Sequence, residues 1–267
     1  MCPTDPDAYF DSPDLFTPKY DEVHISVTFT WAIKRALWLK KEWKRVCKNI
    51  KVGGVAINGE PIGGFKAGIY LKKGVTITSR GCPNRCPFCL INQNLIEFDD
   101  FPEGNIVQDN NILACSRNHI KKVFTMLKTQ KQICFKGGLE AHRITPQLAE
   151  ELRSLKIAEL WLACDYPNAI KPLKKAVNIL QKTGFTQSHL HCFVLIGKDI
   201  QEEEERLREV YKIGCMPFAQ LYRDLKNEIK YSKEWKQFQR RWTRPAIIRS
   251  RCKIGARPGQ DEHGLRF

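Results

Sequence analysis

Residues 132–164 read QICFKGGLEAHRITPQLAEELRSLKIAELWLAC, and their pattern decides the fold class. Gln132 to Lys136 and Glu159 to Cys164 are short apolar runs of the kind that form buried strands, whereas Pro146 to Leu155 has the apolar spacing of a helix. Thr145 before Pro146 is typical of a helix start, because threonine caps the first turn and proline fits its first position. The segment therefore predicts a strand–helix–strand unit, from which parallel sheets are built.

The same alternation continues on both sides of this unit. Strands that are separated by single helices predict an α/β protein with a parallel sheet, and five or six repeats predict a partial or closed parallel (β/α) barrel. The further extended segments are Val75 to Ser79, His189 to Ile196 and Met216 to Tyr222, and the further helices are Asn118 to Lys128, Ile170 to Lys182 and Glu202 to Lys212.

The chain divides into three predicted parts. Residues 1–60 form an N-terminal βαβ extension, whose helix from Trp31 to Lys48 is rich in lysine and arginine. A run of glycines after residue 53 predicts a linker into the core barrel of residues 61–224. Residues 225–267 are predicted as a basic C-terminal helix and tail.

The composition excludes two classes of protein. With 42% apolar and 27% charged residues in 267, the chain is not a disordered tail, and no run approaches the ~18 apolar residues of a spanning helix. The N-terminus lacks the basic and apolar segments of a signal peptide, so we expect a cytoplasmic protein without a membrane partner. Eleven cysteines in a reducing compartment favour metal binding or catalysis over disulfides.

The charge balance favours a polyanionic partner. Lysine and arginine number 44 against 29 aspartates and glutamates, a net charge of +15. Nucleic acid is the first partner to consider, although a basic surface that serves only solubility has the same composition.

The strongest motif is Cys82-Pro-Asn-Arg-Cys86-Pro-Phe-Cys89, which follows directly on a predicted strand. Three thiolates are one ligand too few for a structural zinc site, but on a [4Fe–4S] cluster they leave one iron open to another molecule. The two prolines keep the loop out of a helix, so that the thiols can converge. A zinc knuckle that recruits a further cysteine or histidine is the alternative.

This spacing, with the aromatic Phe88 before the third cysteine, resembles the CxxxCxΦC signature of the radical S-adenosylmethionine (SAM) superfamily. The resemblance implies a [4Fe–4S] cluster on Cys82, Cys86 and Cys89, with Phe88 shielding it or lying against a bound ligand. It also implies reductive cleavage of SAM to a 5′-deoxyadenosyl radical, hydrogen abstraction from a substrate that the motif does not identify, and an external electron donor such as flavodoxin or ferredoxin. The basic tail makes RNA a candidate substrate. A non-catalytic iron–sulfur or zinc protein that binds nucleic acid is the alternative.

Two further elements are similar to SAM-binding elements of the family. Gly137, Gly138 and Glu140 resemble the glycine pair and acid that follow the second strand and hold the SAM amino group, although Leu139 is an extra residue. Ile196 and Gly197 resemble the apolar strand end over which the adenine lies. A tight turn and an ordinary buried strand are the alternatives.

Other candidate residues lie near the predicted carboxyl ends of strands, where barrel enzymes build their sites. Lone cysteines in strands are predicted to act as small core residues, and an auxiliary cluster on them is the alternative. The segment from His24 to Phe29 resembles the end of a cobalamin-binding domain but lacks its DxHxxG motif, so cobalamin is not predicted. The site candidates are Asp165, His191, Asp199, Tyr222 and Arg223, and the lone cysteines are Cys134, Cys164, Cys192 and Cys215.

The tail supports two interpretations. Residues 225–267 contain twelve Lys or Arg against four Asp or Glu, and Trp235, Phe238 and Trp242 recur at helical spacing among them. Basic groups beside aromatic rings suit single-stranded or looped RNA. A helix whose aromatic stripe packs on the barrel has the same pattern.

Overall fold

The computed structural model describes residues 5–54, 56–57, 71–89, 91, 93–224 and 228–254. The strands are β1 (Glu22–Ser26), β2 (Asn49–Gly53), β3 (Val75–Thr76), β4 (Ser79–Arg80), β5 (Ile96–Glu97), β6 (Ile106–Val107), β7 (Ile133–Leu139), β8 (Ile157–Ala163), β9 (Leu190–Ile196) and β10 (Met216–Leu221). The α-helices are α1 (Ile33–Trp43), α2 (Arg117–Leu127), α3 (Pro146–Arg153), α4 (Ile170–Lys182), α5 (Ile200–Ile213), α6 (Lys233–Arg241) and α7 (Pro245–Ile254).

A parallel sheet forms the centre of the fold, with the described strands in the order β10–β9–β8–β7–β6–β3. Helices α2 to α5 connect successive strands from β6 to β10, and their buried apolar residues join those of the sheet in one core. The predicted α/β class and parallel sheet are therefore confirmed. Within the described residues β3 and β10 are separate edges, so the arrangement corresponds to a partial barrel and not a closed one.

Local sequence signals explain why these elements form. Thr145 caps α3 by accepting from the Leu148 amide at 3.2 Å, with Pro146 in the first turn, as predicted. Along β9 alternate residues are buried against the helices, and Cys192 is one of them. Cys164 and Cys215 are fully buried too, which confirms the prediction that they are core residues, whereas Cys134 is only partly buried.

Strand β6 was not predicted, because two residues show no periodicity. It lies between β3 and β7, so Gly137 and Gly138 end the third strand of the sheet. The expectation that this glycine pair follows the second strand is therefore wrong. The predicted strand from Val75 to Ser79 is also interrupted, since β4 leaves the sheet and pairs antiparallel with β5.

The N-terminal part has the predicted β–α–β order. Strands β1 and β2 are parallel, and a small core of its own includes Ile25, Val27 and Ala36. This unit contacts the segment after β10, where the Thr30 hydroxyl donates to the carbonyl of Asp224 at 3.5 Å. The predicted boundary at residues 60 and 61 lies outside the described residues.

The C-terminal helices cover the edge of the sheet. Phe238 and Trp242 are 0% and 1% exposed, and the Ala219 amide of β10 donates to the Trp242 carbonyl at 3.1 Å. An edge strand that is covered in this way cannot pair with another chain. The aromatic stripe thus packs on the core, so the rings of Phe238 and Trp242 are not available to stack on bases.

None of the helices in the described part of the chain has the length and apolar content that crossing a bilayer requires.

Removing the Phe238 ring tests the packing of α6. We expect Phe238→Ala to lower the free energy of unfolding by about 3–5 kcal/mol, since it empties a fully buried site. Lys236, an exposed residue of the same helix, supplies the control. Lys236→Ala should change the free energy of unfolding by less than about 0.5 kcal/mol. Urea denaturation measures both, and equal stability of the two variants would contradict this packing.

Candidate metal and cofactor site

The cysteine loop, residues 81–89, begins directly after β4, beside the carboxyl end of β6. Gly81 starts it with a φ of +88°, a conformation that glycine adopts without strain. Its amide donates to Oδ1 of Asn110, three residues beyond β6, at 3.0 Å. This bond fixes the start of the loop at the edge of the sheet where parallel α/β proteins carry their sites.

The three thiols of the loop share one electrostatic environment. The Cys89 amide donates to the Cys86 carbonyl at 3.0 Å, which closes a tight turn between the second and third cysteines. Burial raises the pKa of Cys86, and negative charge at Cys89 and Cys82 raises it further. Cys82 and Cys86 are half-buried and Cys89 is exposed, and all three are free of disulfides. The loop therefore holds three free thiols near one another.

The chemical type of the donors is compatible with an iron–sulfur cluster. Among the described residues, no three His, Cys, Asp or Glu side chains are placed to bind one metal ion. Three soft thiolates are also the donors that iron–sulfur chemistry selects.

Glu140 joins the cysteine loop to the ends of two strands. Its Oε1 accepts from Asn84 of the loop at 2.6 Å, and its Oε2 accepts from Asn111, beyond β6, at 2.9 Å and from Arg143. Asn111 also donates to the Cys82 sulfur at 3.3 Å. Burial would raise the pKa of Glu140, but the hydrogen bonds from Asn111, Asn84 and Arg143 outweigh it and lower that pKa. We call these five residues the Glu140 network.

The glycine pair of β7 serves two purposes. A Cβ on Gly137 would lie 1.8 Å from the Asp109 carbonyl oxygen, so only glycine lets β7 approach the segment after β6. Gly138 has a φ of +93°, and no described atom lies within 4 Å of where its Cβ would stand. Its backbone therefore borders open space close to Glu140, which is compatible with a ligand.

Asp109 is a buried carboxylate that the sequence analysis missed. Its Oδ1 accepts from the Thr78 amide at 2.8 Å and from the amide and hydroxyl of Ser79, the latter at 2.7 Å. Its Oδ2 and the Oδ1 of Asn111 are buried without a hydrogen-bond partner among the described residues. Burial raises the pKa of Asp109 against the effect of these bonds. The only sequence signal was an acid followed by two asparagines, after a strand too short to recognise.

Phe88 and Tyr166 form one side of the site. Their ring centroids are 6.1 Å apart, and Tyr166 directly follows Asp165, just beyond β8. Asp165 accepts from the Leu195 amide at 3.2 Å, and burial raises its pKa to about 6. Negative charge at Asp165 also contributes to the raised pKa of Cys86. Phe88 and Asp165 thus lie on the same side of the molecule as the thiols.

Ile196 and Gly197 are covered within the chain. Ile196 is buried, and a Cβ on Gly197 would lie 2.2 Å from the hydroxyl oxygen of Tyr231. The Gly197 amide donates to Oε2 of Glu203 at 2.8 Å. The predicted contact of Ile196 and Gly197 with an adenine stays a prediction. The Tyr231 side chain lies against Gly197, so an adenine could bind there only beside that ring or after it moves.

The other candidate residues have structural partners. Asp199 caps α5 by accepting from the Gln201 amide at 2.9 Å, and the Tyr222 carbonyl accepts from the hydroxyl of Tyr231. The His191 ring stacks on Trp161 with centroids 4.6 Å apart. Of the candidates at the strand ends, Asp165 is therefore the one that the structure places beside the cysteine loop.

Comparison of the chain with protein-family models, with curated proteins and with solved structures finds no match. The resemblance to the radical SAM superfamily therefore rests on the cysteine motif and its position.

Replacing Glu140 tests whether its network holds the cysteine loop. We expect Glu140→Ala to increase the alkylation rate of Cys82 at least about threefold. Removing the shared acceptor of several part-buried hydrogen bonds costs on the order of 1–3 kcal/mol and loosens the loop. Mass spectrometry of the labelled peptides measures the rate. Glu151→Ala, at an exposed ion pair, is the control, and unchanged labelling of Cys82 in Glu140→Ala would contradict the role of the network.

The raised pKa of Asp165 predicts a pH dependence of stability. The pKa of Asp165 is about 6 in the folded protein, above its unfolded value of about 4. The free energy of unfolding therefore decreases as the pH rises from about 4 to about 6. Asp165→Asn removes this loss, because its amide does not ionise, and its side-chain oxygen can still accept the hydrogen bond from the Leu195 amide. The free energy of unfolding of the variant should therefore be about 1–3 kcal/mol higher than that of the native protein at neutral pH. Urea denaturation at about pH 4 and about pH 7 compares the two proteins. A variant that is less stable at both values would contradict the assignment.

Proposed function

We propose that this protein is a radical SAM enzyme with a [4Fe–4S] cluster on Cys82, Cys86 and Cys89. The observation that carries the proposal is the position of this three-thiol motif, in a loop at the carboxyl edge of a parallel β/α sheet. Among the described residues, no three His, Cys, Asp or Glu side chains, these thiols included, are placed to bind one metal ion. An incomplete set of thiolates is what allows an external ligand to reach an iron.

When bound, a cluster of this kind supplies the electron for reductive cleavage of the SAM sulfonium to methionine and a 5′-deoxyadenosyl radical. The role of the protein is to hold the cluster, to orient the sulfonium and to keep water away from the radical. Glu140, through Asn84 and Asn111, keeps the loop against the ends of β6 and β7. The open backbone at Gly138 can accept the polar groups of a bound methionine moiety.

Exclusion of water matters because a carbon radical reacts with what surrounds it. The rings of Phe88 and Tyr166 lie beside the thiols and can cover a bound ligand there. The proposed reaction also needs a one-electron donor, for which flavodoxin or ferredoxin is suitable. The high positive charge of the chain is equally compatible with a non-catalytic iron–sulfur or zinc protein that binds nucleic acid.

Iron analysis after anaerobic reconstitution tests the metal site. We expect about four irons per chain in the native protein, and at most about one in Cys86→Ala, because two thiolates cannot retain a cube. Cys134→Ala, at a half-buried cysteine of β7, is the control and should keep the native iron content. Stoichiometric zinc without iron in the native protein would contradict the proposal.

Product analysis separates the enzyme from the non-catalytic alternative. The reconstituted protein with dithionite and SAM should release 5′-deoxyadenosine, and Cys86→Ala should release none above the background. Liquid chromatography with mass spectrometry detects the product. A full complement of iron without 5′-deoxyadenosine would instead favour the non-catalytic iron–sulfur protein.

A further inference from the structure

Three planar groups form an ordered stack on the surface. The rings of Phe29 and Trp31 lie 4.4 Å apart between centroids and only 10° from parallel. The guanidinium of Arg223 lies 4.5 Å from the Trp31 centroid. We call Phe29, Trp31 and Arg223 the surface stack. Its members come from two distant parts of the chain, so the fold assembles it.

The surface stack is open to solvent. Phe29 is 52% exposed and Trp31 is 44% exposed, although burial of such rings would be favourable. Exposed aromatic rings in a fixed arrangement are typical of a surface that binds a partner. The spacing of the Phe29 and Trp31 rings is that of stacked planar groups, so a further planar ring can add to the stack.

Helix α1 continues this surface with basic and aromatic side chains. Trp31, Lys34, Trp38 and Lys41 recur at helical spacing and are all exposed, Trp38 by 46%. Ala36 and Trp43, on the opposite face of α1, are buried. Rings and ammonium groups thus alternate along one exposed face over about 15 Å, at 1.5 Å per residue.

The surface stack also adjoins the functional edge of the sheet. Arg223 lies two residues beyond β10, and the Thr30 hydroxyl bonds to the carbonyl of the next residue, Asp224. The cysteine loop lies at the same carboxyl edge of the sheet.

We propose that this surface binds single-stranded nucleic acid. An unpaired base stacks on the surface stack, while Lys34 and Lys41 contact phosphates. Stacking platforms beside basic groups are what single strands require, and the net charge of +15 is complementary to a polyanion. A membrane-surface helix would keep its lysines off the apolar face, whereas here they alternate with the rings. The inference does not depend on the metal site.

Fluorescence anisotropy with labelled single-stranded twelve-nucleotide RNA and DNA tests this proposal on the full chain, as purified and without reconstitution. The native protein should bind at least one of the two, and the Kd should rise steeply with salt. Trp31→Ala should weaken binding about tenfold or more, since one stacked base contributes that much. Trp31→Phe, which keeps a ring, should stay within about threefold of the native Kd.

The controls separate stacking from charge and from folding. Leu15→Ala, at a residue 91% exposed, should bind as the native protein does. Arg223→Lys keeps the charge but loses the planar group, so it should weaken binding several-fold with an unchanged salt slope. Cys86→Ala should bind natively, which makes this test independent of the proposed reaction. Circular dichroism should show native melting for the variants of Trp31, Leu15 and Arg223, because these side chains are exposed.

Three results would overturn the proposal. One is native affinity in the folded Trp31→Ala variant, and another is no salt-dependent binding of RNA or DNA by the native protein. The third is binding to vesicles of anionic lipid without binding to either oligonucleotide, which would assign the surface to a membrane. Preference for RNA over DNA, or the reverse, would support the proposal and identify the polymer.

Discussion

The candidate site depends on one half-buried carboxylate. Glu140 accepts hydrogen bonds from Asn84 in the cysteine loop, from Asn111 beyond β6 and from Arg143 in its own segment. Without this acceptor the described bonds to the loop would include that from Gly81 to Asn110 and that from Asn111 to the Cys82 sulfur, but Asn84 would lose its partner. A charged acceptor can organise several donors because charge-assisted hydrogen bonds are stronger than neutral ones. The resemblance suggested that Glu140 holds a ligand, but its oxygens are already engaged within the chain.

Periodicity made most of the fold predictable from the sequence. The strands and helices from residue 133 to 221 were recognised because each buries one face and is long enough to show it. Strand β6 escaped recognition, and with it the role of Asp109, because that site arises only where Gly137 of β7 packs against the segment after β6. Contacts between distant segments leave little trace in a local pattern.

The aromatic residues of the tail and those of the surface stack also show that a local sequence pattern does not reveal contacts between distant segments. The tail pattern suits both packing and RNA binding, and the structure shows that the rings of Phe238 and Trp242 pack on the core. The surface stack had no local signal, since Arg223 lies far along the sequence from Trp31. The exposed aromatic rings beside basic groups thus lie in the N-terminal unit, while those of the tail stabilise the sheet edge.

We propose that the three cysteines leave one iron of a cluster open to SAM. Mössbauer spectroscopy of the reconstituted protein, recorded with and without SAM, tests it most directly because each iron contributes its own signal. We predict that about one iron in four changes its signal when SAM is added, and that the signals of the other irons stay the same. Identical spectra under the two conditions, or a cluster with four protein ligands, would contradict it.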